Sequence, residues 1–221
     1  MSWDVGAWVV NTLRKLIENH GVQEFTSSGT FVVPDGVHKI LVTACGGGQG
    51  GGAYVDNGNW EYSGKGGDGG ECIIREAFSV TPREVLSIVV GSGGAKADSS
   101  RIGGNGGATK VGNLVTLRGG GTAHGLIGSG KGGESGGYYD SAEKYPPMDA
   151  EDGIRGKAGQ TLGDNPTNTG AGGGGSYGNG GDGANGKTAA TNPGYGGGGG
   201  GGGESSKTQT NGGKGIVIIE W

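Results

Sequence analysis

The sequence predicts a mainly β protein: a small β-sandwich carrying packed polyglycine-II helices, preceded by one N-terminal α-helix. Three observations predict it. Sixty of the 221 residues are glycine, gathered into tracts such as 46–52 and 196–203 and GGX runs at 66–70 and 103–107. Short runs rich in β-branched residues lie between the tracts, as strands require. Only the first 20 residues carry helical periodicity.

Ordering glycine costs about 0.5–1 kcal/mol per residue more than ordering alanine, so such a chain either stays a flexible linker or forms an array whose packing offsets the loss. An array fits the spacing better. A polyproline-II-type helix has about three residues per turn and no internal hydrogen bonds, so its amides and carbonyls point sideways to neighbours. Two glycine columns of a GGX repeat let neighbours approach to backbone contact, helped by Cα–H···O interactions, while X faces solvent. Asp68, Glu71, Asn105 and Asp182 hold X positions and are expected at the surface. The run 196–203 lacks an outward column and suits an interior helix, about 25 Å long at about 3.1 Å per residue. Collagen needs an unbroken G-X-Y period and abundant proline, whereas this chain has six prolines.

Element by element, residues 2–20 read as an amphipathic helix: Ser2 caps it, Asp4 suits its N-terminal dipole and Gly21 stops it. Trp3, Val5, Val9, Val10, Leu13, Leu16 and Ile17 share one face, opposite Asp4, Asn11, Lys15 and Glu18. Such a face is buried either against its own domain or by self-association or docking on a larger assembly. The second is favoured because the helix stands outside the glycine-rich unit, so 1–21 are read as an attachment or oligomerisation segment, with Val5, Val9, Leu13, Leu16 and Ile17 as its contact face, and 22–221 as the glycine-rich domain. Strands are expected at 30–33, 37–45, 71–80, 85–90, 114–118 and 216–221, with a turn at Pro34-Asp35-Gly36. The last strand pairs with 39–44, and the glycine tracts leave one end of the sandwich as long excursions. These excursions carry aromatic and acidic inserts at 54–62 and 138–152.

With 31% hydrophobic and 6% aromatic residues the core must be small, which favours oligomerisation. A net charge of −4 and a pI near 5.4, without a basic block, argue against nucleic acid or an anionic membrane surface as partner. The apolar stretch 8–10 is too short for a signal peptide and nothing reaches membrane-spanning length, so synthesis and assembly in a cytoplasm are expected, with no membrane insertion. Cys45 and Cys72 close and open strand-like runs and read as two buried thiols; a disulfide would need an oxidising compartment or later exposure.

Catalytic chemistry is not indicated. The G-x-G-x-x-G matches at 64–69, 128–133 and 178–183 are expected by chance in so glycine-rich a chain, and none opens a helix. The near P-loop at 125–132 has Gly132 where a magnesium-binding hydroxyl belongs. His20, His38 and His124 are too scattered for a metal site or a nucleophile–base pair, and Asp149, Glu151 and Asp152 read as a solvated acidic loop. No cofactor or metal is expected.

The phrases GTFVVPDGVHKILVTACGGG (29–48), AFSVTPREVLSIVVGSGG (77–94), GGNGGATKVGN (103–113) and GGKGIVIIEW (212–221) resemble, in order, the glycine-rich domain of bacteriophage tail-fibre and prophage tail proteins. The tract pattern is similar to the polyglycine-II sandwich of distal tail-fibre adhesins of T-even-like phages. The resemblance covers about 29–221; the helix at 2–20 stands where a long fibre shaft would be, and the insert 134–168 has no counterpart in the pattern. It implies a non-enzymatic receptor-binding tip on the virion, a homotrimer bound to other tail or fibre subunits, whose loops touch a bacterial surface glycan or outer-surface protein. On that implication the receptor-binding residues are Tyr54, Trp60, Tyr62, Tyr138, Tyr139 and Tyr145, because exposed aromatics give large contact area at low entropy cost. The rival readings are a structural virion or matrix protein without a receptor, and an ice-binding polyglycine-II protein. The latter needs a flat face of small residues, where this chain has charged or amide-bearing X positions.

Overall fold

The computed structural model describes residues 20–53, 55–56, 61–62, 66–100, 103–121, 178, 181, 190, 192–197, 199, 201–202 and 208–221. Within them the chain is mainly β, with no helix, and its strands form two four-stranded antiparallel sheets and one short hairpin. Its strands are β1 (Val22–Phe25), β2 (Gly29–Val32), β3 (Lys39–Cys45), β4 (Val55–Asp56), β5 (Glu61–Tyr62), β6 (Cys72–Ser79), β7 (Val85–Val89), β8 (Thr109–Val111), β9 (Val115–Leu117) and β10 (Ile216–Glu220). One sheet has the order β1-β10-β3-β6 and the other β2-β7-β8-β9.

Alternation along the strands builds the core. In β3 and β10, Val42 lies opposite Ile219 and Ala44 opposite Val217, so these four share one face; in the second sheet Phe31 lies opposite Leu86 and Ile88 opposite Val111. All eight belong to a single buried cluster that both sheets supply. Burying a side chain such as Ile219 or Phe31 stabilises by about 1.5–3 kcal/mol. The expected pairing of the last strand with 39–44 is observed, Ile216 to Glu220 running against Cys45 to Leu41. The turn at Pro34 is also observed: Val37 N–H donates to Pro34 O at 3.2 Å, and Gly36 takes φ 78°, which a side chain would oppose. Strands β1, β4, β5 and β8 were not expected from the sequence. The segment 22–25 exposes three of its four residues and so lacks a strand's apolar alternation; the partner strand β10 makes it one. Gly21, the expected helix stop, exchanges two bonds with Trp221 (2.9 and 3.0 Å) and extends that ladder. The expected helix at 2–20 lies outside the described residues except for its last position, His20, which is not helical.

The glycine-rich tracts leave and re-enter the sheets at one end, through Gly46, Glu71, Gly91, Ala108, Arg118 and Gly215. Tract 46–53 lies at their centre. Gly46, Gly47 and Gly48 donate to Glu71, Gly107 and Gly213, and Gln49, Gly50 and Gly51 donate in the same rotation to Asp68, Gly104 and Thr210, at 2.8–3.0 Å. The repeat is three residues. Carbonyls of the same tract accept from three further tracts: Gly47 from Gly120, Gly48 from Gly94, and Gln49 from Gly199. The surrounding tracts also bond to one another in a closed ring, 66–71 to 194–202, then 208–215, 91–97, 103–107, 118–121 and back to 66–71. One tract is therefore enclosed by six.

Close approach explains the glycines. A Cβ at Gly48 would meet the Gly197 carbonyl, and one at Gly199 would meet the Thr210 carbonyl and come within 2.8 Å of Asn211 O and Gly51 N. The expected burial of 196–203 holds for its described residues Gly196, Gly197, Gly199, Gly201 and Gly202, although the enclosed tract is 46–53. Of the X residues, Asn105 is exposed as expected. Asp68 and Glu71 are half-buried instead, because their neighbours use them: Asp68 N–H donates to Gln49 Oε1 at 3.1 Å, and Glu71 Oε2 accepts from Arg118 N–H at 2.8 Å. Asp182 lies outside the described residues.

Candidate functional site

Strand polarity gives the molecule two poles. β3, β7 and β9 run toward the tracts, and β6, β8 and β10 run away from them, so each tract has a root at the sheets and a far end. Tract 46–53 ends at Ala53; β4 and β5 follow, with Val55 opposite Tyr62 and Asp56 opposite Glu61, and the chain returns along 66–71. Tract 91–97 turns through the exposed bend at Asp98, Ser99 and Ser100 and returns along 103–107. These excursions are tied together at the far end. Ala53 N–H donates to Ser100 O at 2.7 Å, Lys96 N–H donates to Asn211 Oδ1 at 2.9 Å, and the Gln209 Nε2 amide donates to Ala97 O.

Of the sequence-expected contact residues, Tyr62 has its backbone at this far end, in β5. Tyr54 and Trp60 lie outside the described residues, in the same chain segment that leaves Ala53 and returns at Gly66. Tyr138, Tyr139 and Tyr145 lie outside them too, as do Val5, Val9, Leu13, Leu16 and Ile17 of the expected attachment face. The described chain begins at His20, beside the Gly21–Trp221 pairing. β10 reaches Trp221 by running away from the tract roots, so residue 20 sits at the pole opposite the far end.

That opposite pole is closed by ordinary turn chemistry. Arg83 Nε and Nη2 both donate to the Asp35 carboxylate, the second at 3.0 Å, joining the turn after β2 to the turn before β7. Arg83 adopts φ 67° after Pro82. Its hydrogen bond, and then its charge, hold the Asp35 carboxyl below the ordinary value. Both side chains are largely exposed, so the pair contributes little to stability.

Two side chains that sequence reasoning missed hold the tracts in place. Thr109 is fully buried; its Oγ1 accepts from Gly91 N–H at 2.9 Å and donates to Cys45 O at 2.8 Å, joining three roots. Gln49 is the one non-glycine of the run 46–52 and is buried. Gly121 of tract 118–121 lies against its carboxamide. Gln49 Nε2 donates to Gly103 O at 3.2 Å while Oε1 accepts from Asp68 N–H, so one carboxamide ties tract 103–107 to tract 66–71. The lone glutamine in a glycine run was the available signal.

Of the dinucleotide-like pattern at 64–69, Gly67 donates its amide to Gly199 O at 2.8 Å, and just after it Gly70 donates to Gly196 O at 2.8 Å; strand β6 follows. Among the described residues no group of His, Cys, Asp and Glu is arranged to hold a metal ion, and no helix is long and apolar enough to cross a membrane.

The sequence model of a family described as a glycine-rich domain matches residues 26–221, and the chain belongs to that family. Comparison with curated proteins finds no match.

Proposed function

We propose that this member of the glycine-rich family is the adhesin at the tip of a phage tail or tail fibre, and that it binds a bacterial surface glycan or outer-surface protein without catalysis. One observation carries the reading: the segment that holds Tyr54, Trp60 and Tyr62 joins two tracts at the far end, while residue 20, where the N-terminal segment enters, lies at the opposite pole. Attachment and recognition then occupy opposite ends of one body.

In this reading the tracts are polyglycine-II helices. The donors of 46–51 repeat every three residues, the period of that helix, and each successive amide reaches a different neighbour. Eight residues at about 3.1 Å each hold the loops about 25 Å from the sheets. A lattice bonded on all sides preorganises these loops, so little ordering cost falls on binding. Residues 1–19 attach the protein to other tail subunits and bring three copies together, which the small core favours.

Adsorption to host cells tests the reading. Losing a central aromatic anchor costs about 2 kcal/mol or more, roughly 30-fold in affinity. Trp60→Ala, and the double change Tyr138→Ala with Tyr139→Ala, should lower adsorption by that order while the fold is kept; Asp182→Ala should leave it unchanged. If the folded aromatic variants adsorb like the parent, recognition is not in these loops, and a structural virion protein becomes the better account.

A further inference from the structure

We propose that Cys45 and Cys72 are a site of oxidation that closes a disulfide across the root of the central excursion. β3 ends at Cys45 and β6 begins at Cys72, and the two residues are direct partners in the register. Gly46 N–H donates to Glu71 O at 2.9 Å, one residue outside the pair on each strand. That bond places the cysteines in the non-hydrogen-bonded type of antiparallel pair, in which Cα atoms are about 4.5 Å apart and side chains lie closest. A disulfide accepts Cα separations of about 4.4–6.8 Å, so the backbone already has bridging geometry. Both side chains join one small buried cluster with Ile216, on the sheet face opposite to the main core. They are not disulfide-bonded in this structure.

The position gives the bridge its effect. Between the two cysteines the described residues are the enclosed tract 46–53, strands β4 and β5 and the returning tract 66–71. A bond between Cys45 and Cys72 closes that excursion into a covalent loop at its base, whatever its far end binds. The reaction is a thiol–disulfide exchange with a low-molecular-weight disulfide. One cysteine thiolate attacks the oxidant, releasing one small thiol and leaving a mixed disulfide. The second cysteine sulfur then displaces the other small thiol, so the cysteines are oxidised by two electrons, the oxidant is reduced by two, and the two cysteine protons end on the released thiols. Cys72, at 4% exposure against 0% for Cys45, is the more exposed residue of the two. A protein folded in a reducing compartment and carried into an oxidising one would acquire the bond after assembly.

Incubating or refolding the full-length chain with oxidised and reduced glutathione, against dithiothreitol as control, tests the inference without any mutation. The expected product is a chain with no disulfide to another chain, lighter by two hydrogens, with no titratable thiol, a proteolytic peptide joining Cys45 to Cys72, and a thermal midpoint roughly 10 °C above that of the reduced protein. Cys72→Ala should abolish the difference between oxidised and reduced samples. Two remaining thiols after oxidative refolding, glutathione adducts without an internal bridge, disulfide-linked pairs of chains, or a bridged chain with a lower midpoint would each overturn it.

Discussion

Thr109 stands where the sheets become tracts, and its hydroxyl both accepts from Gly91 N–H and donates to Cys45 O with no exposure to water. Thr109→Val keeps the shape and β propensity but leaves the buried Gly91 amide without its acceptor, a loss of about 1–3 kcal/mol. Denaturant unfolding should show that loss with an unchanged slope; equal stability would mean that water or a shifted backbone replaces the hydroxyl. Nothing in the sequence singles this residue out, because it follows a glycine run, in a segment too short to read as a strand. Gln49 was more legible. A polar side chain inside GGGQGGG has to be either at the surface or paired, but which it is depends on which tracts lie beside it, and that is a property of the packed array. Glu71 and Asp68 were misread for the same reason: a three-residue period says which residues share a column, not which neighbour each column faces.

At the scale of elements, strands with strong β-branched runs were legible to within about two residues, as at 85–89 and 216–220, since their apolar positions alternate into a common core. β1 and β8 were not, because each is short and owes its conformation to a partner: β1 to β10, and β8 to β7 and β9. The pairing of Gly21 with Trp221 also limits where the N-terminal segment can be cut. Deleting residues 1–19 keeps that ladder intact and should yield a folded glycine-rich domain of lower oligomeric state than the full chain. Mass in solution, measured for both, decides it: the same mass for both forms would remove the amphipathic segment from oligomerisation. The contact face inferred for that segment, and five of the six aromatic residues assigned to recognition, rest on sequence pattern and resemblance. Tyr62 is the exception in that its strand position is described.

At the scale of the whole molecule, the two-sheet body and the tracts form one structure with a direction. The body supplies a buried apolar cluster, and the tracts, which have almost no side chains to bury, are joined by backbone hydrogen bonds from one enclosed tract to six neighbours. Glycine content alone is equally compatible with a linker, so the distinction rests on whether these backbones touch. Gly199 reports on that contact directly: its amide donates to Gln49 O, its carbonyl accepts from Gly67 N–H, and a Cβ there would run into Thr210 O. The thermal midpoint of Gly199→Val is therefore the most direct test that the tracts are a packed array holding the far-end loops. Forcing a side chain into this contact should cost about 3 kcal/mol or more, a fall of roughly 10 °C or outright loss of the folded state. A midpoint equal to the parent's would contradict the array and return the tracts to flexible linkers.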